Sequence, residues 1–151
     1  MAMALAAAFL PLAPALAQTP AQSPSLAPIP ASDSAILLEL NGAHPNEQGG
    51  CRLTVIAGNR LEQGLERAAW QVAIFDGSGR VQSLPVLDFG QLIGGKTKVA
   101  IFDLPDQPCD NVGRIIVNDV AECRGDEGSD LRDICLTGLA TRSLADIDFG
   151  I

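Results

Sequence analysis

The sequence predicts an all-β fold: an antiparallel β-sandwich of seven or eight short strands, stapled by two disulfides. Three observations carry that expectation. From residue 35 onward, short runs alternating apolar and polar residues recur between Gly, Pro, Asn and Asp turn signals, the spacing of a sandwich. Trp70–Val81 reads as a strand, a tight turn and a second strand, with Trp70, Val72 and Ile74 on one face and Gln71, Ala73 and Phe75 on the other. Finally, four cysteines follow an N-terminus built like an export signal.

The chain of 151 residues suits one folded domain. We expect three segments: a signal peptide over 1–17, a Pro/Ala/Ser-rich linker over 18–34 and the sandwich over 35–151. Residues 1–17 hold an apolar run closing on Ala15-Leu16-Ala17, an A-x-A cleavage pattern. Pro11 and Pro14 interrupt the run, which argues against a membrane-spanning helix. No Lys or Arg precedes it. A signal normally opens with a charged region, so we expect the true start codon upstream, and the genomic sequence there tests this. The linker carries Pro20, Pro24, Pro28 and Pro30, a composition favouring extended conformers.

Within the folded part, Ser34–Asn41 offers a first strand with Ile36, Leu38 and Leu40 on one face. A loop over Gly42–Gly50 holds His44. Cys51–Ala57 alternates, with Cys51, Leu53, Val55 and Ala57 inward. Residues 60–68 fit either a helical turn, with Leu61 and Leu65 at i, i+4, or a connection with two apolar plugs. After the Trp70–Val81 hairpin, Asp76-Gly77-Ser78-Gly79 supplying the turn, Val81–Phe89 is a strand that Pro85 makes an edge or splits in two. Gly94-Gly95 turns the chain into a strand over Lys96–Asp103, whose two lysines suit an exposed end. Arg114–Val120 is the most hydrophobic strand and is expected to be central. A charged loop, Glu122–Asp133, and a last strand over Leu144–Ile151 complete the chain.

Of three possible cysteine pairings, locality favours Cys123 with Cys135, which bracket one loop, leaving Cys51 with Cys109. No C-x-x-C pair exists and there is one histidine, which argues against zinc and thiol redox chemistry. Ten Lys+Arg against eighteen Asp+Glu give a net charge of −8, all of it after residue 32. That balance argues against nucleic acid and against docking on anionic lipid.

Candidate chemistry is sparse. His44 would have to serve any nucleophile–His–acid site, but no G-x-S-x-G turn accompanies it. The acidic loop supplies Asp126, Glu127, Asp130 and Asp133, with Asp119 and Glu122 before them. Crowded carboxylates suit Ca²⁺, yet the run lacks the alternating calcium-loop pattern, and Arg124 and Arg132 neutralise part of it. Arg124-Gly125-Asp126 matches an integrin tripeptide by composition alone. Gly90 to Thr97 satisfies G-x-x-x-x-G-K-T, but the residues after it read as a strand where a phosphate loop opens a helix. We expect no catalytic residue and no cofactor.

The runs CRLTVIAGN, WQVAIFDGSGRV and GGKTKVAIFDL are similar to small immunoglobulin-like domains of bacterial exported proteins. Over residues 36–151 the chain resembles secreted alphaproteobacterial proteins of uncharacterised activity that keep a similar four-cysteine layout. The resemblance implies an immunoglobulin-like sandwich in the periplasm. Trp70, following Cys51, matches the tryptophan that packs on the immunoglobulin disulfide, whereas Asn118–Cys123 stands where a Tyr-x-Cys corner would be. We therefore expect a non-enzymatic periplasmic or secreted sandwich that binds or supports an envelope protein. The alternatives are a Ca²⁺ or small-ligand module using the 119–133 loop, and an enzyme centred on His44.

Overall fold

Alternation of apolar and polar side chains lets one face of each strand leave water while the other stays wet, and that pattern builds the molecule. A computed structural model describes residues 34–151. The expected signal peptide and nearly all of the expected linker lie outside the described residues. Ser34, expected as the last linker residue, is buried and accepts a hydrogen bond from the Arg60 guanidinium at 3.2 Å.

The chain folds as an all-β sandwich of nine strands: β1 (Ile36–Pro45), β2 (Cys51–Asn59), β3 (Leu65–Phe75), β4 (Val81–Ser83), β5 (Val86–Leu92), β6 (Thr97–Leu104), β7 (Arg114–Gly125), β8 (Leu139–Ser143) and β9 (Asp148–Gly150), with one short helix α1 (Arg132–Thr137). One sheet has the order β6-β2-β1-β8 and the other β4-β3-β7-β9, with β5 also paired to β3. Most pairings are antiparallel, but β8 joins β1, and β9 joins β7, in parallel.

The inner faces follow the alternation. Ile36, Leu38, Leu40, Leu53, Val55 and Ala57 of one sheet are buried against Trp70, Val72, Ile74, Ile115, Val117 and Val120 of the other. Trp70 is fully buried, meets Phe89 edge-to-face at 5.7 Å, and Phe89 meets Phe102 at 5.1 Å. This ladder of rings crosses from β3 through β5 to β6, in the T-shaped geometry that ring quadrupoles favour. The indole N–H donates to the Cys135 carbonyl at 3.1 Å, so Trp70 sits beside a disulfide. The bridges are Cys51–Cys109 and Cys123–Cys135, the pairing that locality favours.

Several boundaries differ from expectation. The first strand continues to Pro45 through a bulge between Leu40 and Gly42, so His44 lies in β1 and the loop shrinks to the Asn46–Gly50 turn. Residues 60–68 form no helical turn. Leu61 plugs the connection, and Leu65 already begins β3. Pro85 splits one edge into β4 and β5, and β5 runs on past Gly90, whose φ is +62°. Strand β7 extends to Gly125, absorbing Glu122, Cys123 and Arg124 from the expected loop. It pairs with β3 along its length but with β9 only over Arg114–Ile116, and β3 is the strand with most neighbours. The expected last strand is reduced to Asp148–Gly150, where Phe149 is buried and Ile147 precedes it into the core.

Candidate functional site

Strand β6 is an edge of the four-stranded sheet. Its ladder with β2 runs without a bulge from Cys51↔Leu104 to Gly58↔Thr97. Beyond it, the Asn59 N–H donates to the Lys96 carbonyl at 2.9 Å. In an antiparallel pair, hydrogen-bonded and non-bonded positions alternate. Lys98, Ala100 and Phe102 therefore turn their backbone groups to β2, while Thr97, Val99, Ile101 and Asp103 turn theirs away. Among the described residues, no other strand meets those outward groups.

The side chains of the same residues are also exposed, Val99 by 61% and Ile101 by 62%. Both stand on the sheet's outer face, next to Ile56 and Thr54 across the ladder. Lys98 faces the opposite way. Its ammonium reaches the neighbouring sheet edge and donates to the carbonyls of Phe89 at 2.6 Å and Gln91 at 3.2 Å. One lysine thus caps the open edge of β5, a known device against unwanted strand pairing, and leaves the β6 edge uncapped.

A groove of 440 Å³ adjoins the start of β6, lined among others by Leu37, Glu39, Ile56, Arg60, Lys96 and Arg142. Glu39 is buried and bonded by Asn41 at 3.1 Å and by the Arg142 guanidinium. A buried polar side chain needs such partners to offset the loss of water. Close by, the fully buried Asn59 donates to the carbonyls of Gln63 and Leu92, both at 3.1 Å, and accepts from the Leu61 N–H at 3.0 Å. It pins the crossover that delivers the chain from one sheet to the other. The turn before β6 is equally constrained, since a Cβ on Gly94 would lie 2.3 Å from the Glu62 carbonyl oxygen.

The residues singled out by sequence do not converge. His44 is exposed on β1. In the acidic stretch, Asp119 pairs with Arg132 at 2.6 Å, and Glu122 lies between Arg67 at 3.1 Å and Arg124 at 2.6 Å. Asp130 accepts from the Arg132 N–H, the Asp133 carbonyl takes the Thr137 hydroxyl, and Asp126 and Glu127 occupy an exposed 3-10 turn. Among the described residues, no three His, Cys, Asp or Glu side chains gather as a metal site would require. Arg124 and Gly125 end β7, so the Arg-Gly-Asp run is no loop tip. The Gly90–Thr97 consensus joins strand β5 to strand β6.

Elsewhere the exposed carboxylates are used structurally. Asp76 holds its own hairpin turn: the Ser78 hydroxyl at 2.7 Å and the Arg80 N–H at 3.0 Å hold its carboxyl below the usual carboxylate range. Arg67, with the Gly90 N–H, does the same for Asp88, and Arg52, with Asn46, for Asp103. Gly79 has φ +83°, which the turn requires and which a side chain would oppose.

Fold and bonds together define a disulfide-stapled β-sandwich suited to an oxidising environment. No helix among the described residues is long and apolar enough to cross a membrane. Comparison with protein-family models, with curated proteins and with solved structures gives no match.

Proposed function

We propose that this is a non-enzymatic exported protein, periplasmic or secreted, that acts by binding or supporting another component of the cell envelope. The observation that carries the reading is the β6 edge: backbone groups that no other strand meets among the described residues, and two exposed β-branched side chains on one strand. An edge of that kind is costly to leave open unless something is meant to pair with it. The two disulfides and the signal-like N-terminus support an exported location.

We also read the sandwich as immunoglobulin-like. Strands β1, β2 and β6 share one sheet while β3 pairs with β7 in the other, as the A, B and E strands and the C and F strands do in that fold. Trp70 on β3 occupies the corresponding core position. The parallel additions β8 and β9, and bridges that do not join β2 to β7, are this chain's own.

In-cell crosslinking of the tagged chain in its native envelope tests the binding role. A reproducible adduct of defined mass is expected. A chain that stays monomeric under every crosslinker and turns over an envelope substrate would overturn it.

A further inference from the structure

We propose that β6 is a docking strand, and that its partner is an extended acidic segment of another protein which adds as a fifth strand to the four-stranded sheet. The inference rests on the binding role above and names its site and the chemistry of its partner. Strand addition draws affinity from main-chain hydrogen bonds and specificity from alternate side chains, and β6 supplies both. Thr97, Val99, Ile101 and Asp103 turn their backbone groups to the open side. Val99 and Ile101 present an apolar outer face, and Ile56 continues it on β2.

The opposite face of the same strand selects the charge. Lys96 and Lys98 alternate with those apolar residues, and neither is ion-paired with an acid among the described residues. Lys98 has only the carbonyls of Phe89 and Gln91. Arg60 lines the groove shared with Lys96 and has the Ser34 hydroxyl, with no carboxylate partner among the described residues. On a chain of net charge −8, a strand whose lysines have no carboxylate in ion-pair contact among the described residues, although Lys98 lies near enough to Asp88 to help lower that carboxyl's pKa, is the place an acidic segment fits. A partner strand alternating apolar and acidic residues would set its apolar side chains beside Val99 and Ile101, and its carboxylates beside the two lysines. A second copy of this chain fits less well, because two bodies of charge −8 repel and the one acid that β6 would bring, Asp103, is already paired with Arg52.

The probe is a synthetic ten-residue peptide alternating valine and glutamate, titrated into the purified, disulfide-bonded, isotope-labelled chain. The control peptide replaces every glutamate by lysine. With the acidic peptide, the amides of Thr97, Val99 and Ile101 should gain at least ten-fold protection from hydrogen exchange, while those of Lys98, Ala100 and Phe102 stay as they are. Lys98→Glu and Lys96→Glu should each weaken binding several-fold, and Val99→Pro should abolish it without touching the β2 ladder. Should Val99→Pro fail to fold, Ile101→Lys serves, and Leu144→Thr, at a remote residue 65% exposed, should bind as the parent does. Equal binding of both peptides, or protection elsewhere, would overturn the proposal, as would the same amides becoming protected in the chain alone as its concentration rises. If envelope adducts form but map away from β6 and the peptide is inert, the docking strand is wrong and the binding role stands. If adducts are also absent, both fall.

Discussion

Strands β3 and β6 have similar compositions, rich in Val, Ile and Ala with one lone aromatic anchor on the inner face, and the fold uses them in opposite ways. Both edges and the inner face of β3 are occupied: β7 on one edge, β4 and β5 on the other, and the facing sheet over Trp70, Val72 and Ile74. Among the described residues strand β6 has one neighbour, and its Val99 and Ile101 are exposed. The difference lies in sheet position rather than in local sequence. Two filled edges and a buried inner face make β3 a matter of stability, whereas β6 carries the same chemistry to the surface.

That contrast breaks first at Trp70. Trp70→Ala removes the largest buried side chain, its ring contact to Phe89 and its bond to the Cys135 carbonyl. We expect about 3–5 kcal/mol of destabilisation, read from chemical denaturation. Ile101→Thr on β6 should stay within about 0.5 kcal/mol, as surface substitutions do. Next in size is the Cys123–Cys135 bridge, which ties β7 to α1 behind Trp70. The double change Cys123→Ala with Cys135→Ala should cost about 2–4 kcal/mol by freeing the unfolded chain, seen as a lowered thermal midpoint.

Much of β3 and β6 is legible in sequence, because alternation is local. Trp70–Phe75 and Lys96–Asp103 read as strands, and Pro85 announces the break between β4 and β5. What is not legible depends on partners far away. Leu61 and Leu65 stand four apart and mimic a helix face, yet Leu65 is drawn into β3 by Leu92 and Gly125 opposite it. Leu139–Ser143 is a strand only because β1 lies alongside in parallel, a pairing no short-range signal declares. Charge disguises the end of β7: Glu122 and Arg124 look like loop residues, but they flank the buried Cys123 on an alternating strand, and Glu122 pairs with both Arg67 and Arg124. The candidate site is legible in its residues and hidden in its setting. Two lysines and two β-branched side chains are visible along 96–101, but only sheet order makes that strand an edge.

Proline placement sharpens the comparison within β6 itself. Ala100→Pro deletes an N–H that faces β2, so about 1–3 kcal/mol should be lost. Val99→Pro deletes one that faces solvent, and edge strands tolerate proline there, so its denaturation midpoint should change by less than half as much. Equal losses would mean that the outward groups are engaged after all.

The smallest expected effect is on acidity. Asp76, Asp88 and Asp103 all titrate lower in the fold than the usual 3.8, Asp76 through Ser78, Asp88 through Arg67 and Asp103 through Arg52. A carboxylate with a depressed pKa stabilises the fold above its unfolded value and ceases to do so as pH falls through the folded one. The thermal midpoint should therefore be level above about pH 5 and decline below about pH 4. All three are surface groups, so the decline should be modest. Asp76→Asn should remove part of it, measured as a shallower slope of midpoint against pH.

The most direct test of the open edge is native-state amide hydrogen exchange of the chain by itself. Alternation along β6 is expected: slow exchange at Lys98, Ala100 and Phe102, whose N–H groups face β2, and fast exchange at Thr97, Val99 and Ile101, whose N–H groups face away from it. Uniform slow exchange from 97 to 102 would contradict it, because it would mean that the edge is already paired and has nothing left to offer a partner.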